Sequence, residues 1–288
     1  MRRRPGPPAL GLLYIVAIAA LGGLEAYHVF LGLLGVLDLY NERTRLLLKT
    51  FFPMVLTGVV FDSMRYYYWP GIEGRVHVLE PYLFERAWFG IGGRTLNEIF
   101  LERHWPALDL AAGFAYVAFA FEYVALALLL FFLGRVDAAR TATRAFLVVN
   151  VMGFATYFVY PAAPPWWVTA HGLGAMPVRI YPEAAATLRF DALLGIHFFE
   201  NMYRSGIDVF GSYPSLHVSY PFLALVLAFR FRELRWARLP AALFFLLICL
   251  SAVYLQHHYV TDVVLGIAYA AAALGVVLVL ERRAASRR

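Results

Sequence analysis

Six apolar runs dominate the chain, at residues 46–68, 107–133, 143–165, 213–230, 239–256 and 260–281. A helix needs about 20 residues to cross a hydrocarbon core roughly 30 Å thick, and these runs meet or approach that length. With 61% hydrophobic and only 15% charged residues among 288, a soluble fold would leave much of that apolar surface without cover. The pattern predicts an all-α fold, a polytopic transmembrane helical bundle with six core helices. A large soluble α-bundle is the alternative that composition disfavours.

Ahead of the core, residues 1–8 form a basic, proline-broken leader. Residues 9–39 are largely apolar, with Glu25 and His28 intruding mid-run, Asp38 near the end and a break at Gly22 and Gly23. This stretch is too long for a signal peptide and ends without a small-residue cleavage site. It reads as one tilted span or as a hairpin broken at the glycines. The expected organisation is an N-terminal membrane segment at 1–40, a six-helix core at 41–281 and a basic tail at 282–288.

Short loops set the orientation. Arg43, Arg45 and Lys49 open the first core run, and Arg135, Arg140 and Arg144 lie between the second and third. Arg230, Arg232, Arg235 and Arg238 lie between the fourth and fifth, and Arg282, Arg283, Arg287 and Arg288 follow the sixth. Alternating helices put all four groups on one face, predicted to be cytoplasmic. The formal charge of +6 therefore reports membrane orientation rather than nucleic-acid binding. A single crossing by 9–39 would leave Arg2, Arg3 and Arg4 outside, against the rule; a hairpin or an interfacial segment would not. Cys249, the only cysteine, reads as a packing residue.

The connections 69–106 and 166–212 then lie outside with five of the six tryptophans, Trp69, Trp88, Trp105, Trp166 and Trp167. They are too long for turns and too aromatic for linkers, which suggests lids or interfacial binding segments. Amphipathic stretches at 81–91 and 187–203 suit a position flat on the bilayer.

The same topology gathers polar motifs at the outer face. Gly211-Ser-Tyr-Pro-Ser-Leu-His217 enters the fourth run, His257-His-Tyr-Val-Thr-Asp262 joins the fifth and sixth, and Tyr160-Pro-Ala-Ala-Pro-Pro-Trp-Trp167 leaves the third. Asp62 and Arg65 reach that level from the first. His258 and Asp262 are four apart and share a helix face. A carboxylate on one imidazole nitrogen makes the other a better nucleophile or base. Pro214 and Ser215 open a helix whose free N–H groups suit a phosphate oxygen. His217, one turn in, can protonate a leaving alkoxide. That set is what phosphoryl transfer through a phosphohistidine requires. Plainer readings stand beside it. His257 reads as structural, Asp62 and Arg65 as an ion pair or a phosphate site, and Tyr160 as an aromatic anchor or a substrate contact. His217, His258 and Asp262 could supply three zinc ligands, but the proline-led helix start favours an anion.

Pro214-Ser-Leu-His217 and Ser251-Ala-Val-Tyr-Leu-Gln-His-His258-Tyr-Val-Thr-Asp262 resemble the second and third signature motifs of the type 2 phosphatidic acid phosphatase superfamily. The Ser-Leu-His and His-His-Tyr-x-x-Asp forms look most like its inositol phosphorylceramide synthase and sphingomyelin synthase branch. The resemblance covers about residues 46–281. It implies His258 as nucleophile, Asp262 as its orienting acid and His217 as proton donor, with no metal or cofactor. The phosphatases' Lys and Arg-Pro first motif is absent near Tyr160, and Ala252 stands where an arginine usually follows the third motif's serine. Arg65 and Arg204 are the available replacements.

The resemblance therefore implies an integral membrane phosphotransferase in the cytoplasmic (inner) membrane, with its site on the non-cytoplasmic face. It would move a phospho-head group, inositol phosphate first, from a phospholipid donor to a lipid hydroxyl acceptor such as ceramide or diacylglycerol. Hydrolysis of phosphatidic acid or a polyprenyl phosphate is the alternative of the same chemistry. A transporter or channel is the alternative of another class, with Glu122 and Asn150 the main polar residues inside the runs.

Overall fold

The computed structural model describes residues 41–287 except 175, 181, 205 and 207–209, together with Leu13, Val16 and Ala20. The expectations for 1–40 otherwise lie outside the described residues. Among the described residues from 41 onward, eleven α-helices follow one another: α1 Glu42–Ile72, α2 Leu79–Trp88, α3 Leu96–Glu102, α4 Pro106–Phe132, α5 Val136–Val159 and α6 Pro165–His171, then α7 Leu188–Leu194, α8 Phe198–Arg204, α9 Leu216–Arg230, α10 Arg238–Tyr254 and α11 Val260–Ala285. Among the described residues β-structure is limited to isolated bridges.

Helices α1, α4, α5 and α11, and α10 with the 3₁₀ turn before it, are long and apolar enough to cross a membrane. Helix α9, with 15 residues, is the sixth apolar member. This is an integral membrane protein with an all-α core. Helix α9 packs against α4, α5, α10 and α11, so it forms the centre of the bundle. Lipid tails give little hydrophobic drive between helices, so close backbone approach matters more. Buried Ala138, Ala139, Ala142 and Ala145 of α5 share one cluster with Ala224 and Ala228 of α9 and Ala270 and Ala273 of α11. Tyr220 of α9 donates to Asn150 of α5 at 2.7 Å, which satisfies two polar groups inside that cluster.

Local chemistry sets the helix ends. Asn41 caps α1 by accepting from the Thr44 N–H at 2.9 Å. Pro106 opens α4 at its first turn, where no intrahelical N–H is needed. The third core helix ends at Val159, short of the predicted 165, because Tyr160 precedes Pro161 and the pre-proline residue is pushed out of the helical region. It begins at Val136, ahead of the predicted 143. Asp137 in the first turn suits the helix dipole, so the helix outlasts its apolar run.

The two ends of the bundle differ in kind. At one, Arg135 pairs with Glu233 and Arg144 with Glu281, while Arg43 lies 5.8 Å from the Phe132 ring. At the other, the long connections knit together. The His77 N–H donates to the Pro161 carbonyl at 2.8 Å, Ala162 N–H to Phe210 at 2.9 Å and Trp166 N–H to Gln256 at 3.0 Å. The segments expected to be amphipathic are helices α2, α7 and α8. Leu83, Phe84 and Trp88 of α2 and Leu193 and Phe198 of the second connection are exposed apolar side chains.

Candidate active site

The first turn of α11 carries the carboxylate. Asp262 Oδ2 accepts the Tyr259 N–H at 3.0 Å and the Ser212 hydroxyl, and it faces His258 Nδ1 at 3.1 Å. With Asp262 ionised, its oxygen can only accept, which puts the proton on Nδ1 and leaves Nε2 with a lone pair. That Nε2 lies 3.0 Å from His217 Nδ1. His258 and Asp262 are enclosed, at 4% and 0% exposed, and His217 is half-buried. The expected trio is thus one line, His217–His258–Asp262.

Two backbone links bring the motifs into register. Ser215 N–H donates to the Asp262 carbonyl at 3.0 Å, and the Ser219 hydroxyl donates to Gly266 at 2.9 Å. The approach depends on Gly266, because a Cβ there would sit 2.3 Å from the Ser215 carbonyl oxygen. Gly266→Ala is expected to cost about 1–3 kcal/mol in stability through overpacking. It should also separate His217 from His258, so specific activity per folded molecule falls. Full activity per folded molecule, with unfolding measured on the same preparation, would contradict that reading.

Residues from the outer connections hold the turn. Glu85 of α2, fully buried, accepts from Val260 N–H at 2.9 Å, Thr261 N–H at 3.1 Å and the Thr261 hydroxyl at 2.8 Å. Its charge complements the N-terminus of α11. Asn97 Nδ2 donates to the carbonyls of Val253 at 2.8 Å and His258 at 3.0 Å. Gln256 turns the chain with a left-handed φ of 70° and donates to the Asn97 carbonyl at 2.7 Å. The Tyr157 hydroxyl donates to the Pro214 carbonyl at 3.0 Å, fixing the approach to α9.

Burial pushes the His258 imidazole from 6.5 down to about 3, and it also drives His257 well below its ordinary value. Both rings stay neutral at physiological pH, which keeps the Nε2 lone pair of His258 available. In the unfolded chain both titrate near 6.5, so below that pH the unfolded chain binds more protons and stability rises with pH, for His258 from about pH 3 upward. Each ring contributes a slope of up to about 1.4 kcal/mol per pH unit. Lowering the pH from 7 to 5 should therefore reduce the unfolding temperature in detergent, and His257→Phe should shallow that fall. An identical pH dependence in the variant would refute this assignment.

The remaining expected site residues have other partners. Ser215 caps α9, and its hydroxyl is buried without a hydrogen-bond partner among the described residues. Tyr160 stacks on His77 at 4.0 Å and on Tyr213 at 5.8 Å. Arg65 pairs with Asp62 on α1, where Met64 and Tyr68 pack in one cluster with Trp166, Trp167 and Phe210. Arg204 of α8 holds Glu200 at 3.0 Å from an exposed position. Glu85, Asn97, Ser212 and Gly266 escape a sequence reading. Only Ser212 sits inside a quoted motif, and it carries no spacing signal.

A helical membrane bundle with a histidine pair and a buried carboxylate at one end is the class that fold and site define. The chain belongs to the PAP2 superfamily, whose pattern matches residues 82–276. It is a membrane enzyme of that superfamily's inositol phosphorylceramide synthase-like branch. It is 33% identical over 268 residues to the phosphoinositol dihydroceramide synthase of Bacteroides thetaiotaomicron, covering 90% of this chain and 86% of that protein. It is 29% identical over 179 residues to the inositol phosphorylceramide synthase of Candida albicans, covering 60% of this chain and 37% of the other. The catalytic subunit from Saccharomyces cerevisiae is 31% identical over 122 residues, 41% of this chain and 29% of its own. The chain thus spans about a third of the fungal relatives' length. No solved structure matches it significantly.

Proposed function

We propose that this enzyme transfers phosphoinositol from phosphatidylinositol to the hydroxyl of a ceramide-type lipid, through a phosphohistidine on His258. The observation that carries the reading is the line from His217 through His258 to Asp262, with contacts of 3.0 and 3.1 Å. The names of the relatives support inositol phosphate as the group moved and a ceramide as its acceptor.

Two displacements account for the transfer. With Nδ1–H held by Asp262, the His258 Nε2 lone pair attacks the donor phosphorus. The N–P bond forms as the P–O bond to diacylglycerol breaks. The leaving oxygen takes the Nδ1 proton of His217, whose ring is in its imidazolium form beside the anionic donor, so the transfer leaves a neutral imidazole. His217 Nδ1, now a base, then accepts the proton of the acceptor hydroxyl. That oxygen attacks phosphorus, the N–P bond breaks, and both histidines return to their starting state. The N-terminus of α9 with Ser215, together with Arg65 and Arg204, meets the phosphate charge in this scheme. Each arginine exchanges its present carboxylate for the substrate, and Tyr160 borders the head group.

The arginine-rich end of the bundle supports a cytoplasmic location for that end and a non-cytoplasmic location for the site. Purified enzyme given inositol-labelled phosphatidylinositol and ceramide is expected to place label on ceramide and release equal diacylglycerol. Release of free inositol phosphate alone would instead establish hydrolysis and refute the transferase reading.

A further inference from the structure

His257 precedes the nucleophile in sequence, and the mechanism above gives it no task. Its ring, 6% exposed, lies between two tyrosines. Tyr203 of α8 is parallel to it at 4.8 Å with 4° between planes, and Tyr116 of α4 lies at 5.4 Å and 23°. Tyr116 also stacks on His217 at 4.6 Å and 14°. An outer helix, a membrane helix and the α10–α11 turn thus build one slab of rings that ends on the catalytic pair.

Phenylalanines would fill that space without polar atoms. Here His257 Nε2 and the Tyr116 hydroxyl are buried with no hydrogen-bond partner among the described residues. Buried polar groups are nearly always paired, so each such group calls for a specific explanation. The remaining ring nitrogen of His257 bonds the Ala184 backbone, an interaction that favours the protonated ring and hence runs to the carbonyl. That places the N–H on Nδ1 and leaves Nε2 as a bare, buried acceptor. An acceptor beside a phenol that both donates and accepts matches one ligand chemistry, an alcohol. Its O–H donates to Nε2 and its lone pair accepts from Tyr116.

We infer that His257 Nε2 and the Tyr116 hydroxyl form a substrate hydroxyl-binding subsite beside the catalytic pair. The inference rests on the proposed transfer, in which two alcohols come to the site: the inositol ring of the donor and the hydroxyl of the acceptor.

His257→Phe keeps the stack and removes the acceptor, while Tyr116→Phe removes only the hydroxyl. Each is placed in a turnover-dead His258→Ala background in nanodiscs, and binding of phosphatidylinositol and ceramide is measured separately. Both substitutions are expected to weaken binding of the same lipid about tenfold, the factor for one lost hydrogen bond. Loss confined to phosphatidylinositol assigns the subsite to the inositol ring, and loss confined to ceramide assigns it to the acceptor. In the active background the same lipid's KM should rise with kcat little changed, and His257→Asn, which restores an acceptor oxygen, should recover part of the loss. Unchanged binding of both lipids, or a fall in kcat alone, would overturn the inference. If His257→Phe fails to fold, Tyr116→Phe decides it by the same criteria. Because binding is read without turnover, absence of transfer in the unmodified enzyme would refute the proposed function separately.

Discussion

His258→Ala is expected to abolish transfer, with a loss of at least about 10⁴-fold in kcat, because the atom proposed to bond phosphorus is gone. The protein should still fold. The truncation leaves the Asn97 bond to the residue 258 carbonyl and the Glu85 cap on α11 intact, since neither uses the side chain of residue 258. Asp262→Asn should cost about 10²–10⁴-fold by presenting an N–H where His258 Nδ1 needs an acceptor, leaving the imidazole in the wrong tautomer. Turnover is measured on monodisperse enzyme at matched concentration. Substantial activity in His258→Ala would remove the nucleophile from the scheme.

His217→Gln should produce the second largest loss, about 10²–10⁴-fold, the usual contribution of a positioned general acid. Its signature is dependence on the leaving group. A diacylglycerol alkoxide needs a proton as it departs, whereas a nitrophenolate leaves without one. A phosphoinositol ester of nitrophenol should therefore release its chromophore in the first turnover at nearly the unmodified rate. Natural substrate should remain slow, because in the proposed scheme His217 is also the base for the second displacement. Equal losses with both substrates in a single-turnover experiment would show that His217 positions the site and does not donate the proton.

Much of the site was legible because membrane helices restrict where polar residues can stand. The apolar runs located all six core helices, and the arginine loops grouped their ends correctly, as the Arg135–Glu233 and Arg144–Glu281 pairs now show. The four-residue spacing of His258 and Asp262 is a helical contact, so their bond could be read from local sequence. What holds them could not. Glu85 reaches the first turn of α11 across 175 residues, and no periodicity announces a partner at that distance. Gly266 reads as one more small residue in an apolar run until the Ser215 carbonyl is placed against it. The two arginines expected to meet phosphate, Arg65 and Arg204, each hold a carboxylate at short sequence separation. Sequence spacing gives both arrangements equally, which is why it left ion pair and phosphate site side by side. His257 read as structural because it has no partner at helical spacing. Its relation to Tyr203 and Tyr116 exists only after the outer helices fold over the turn.

The most direct test of the double displacement is to trap the covalent state. Enzyme mixed with inositol-labelled phosphatidylinositol in the absence of acceptor is quenched in alkali, where a phosphoramidate survives. It is then digested and mapped by mass spectrometry. The expected result is phosphoinositol on the peptide containing His258, released on acid treatment and lost when ceramide is added before the quench. Rapid transfer with no labelled peptide, or with label on another residue, would contradict a nucleophilic His258.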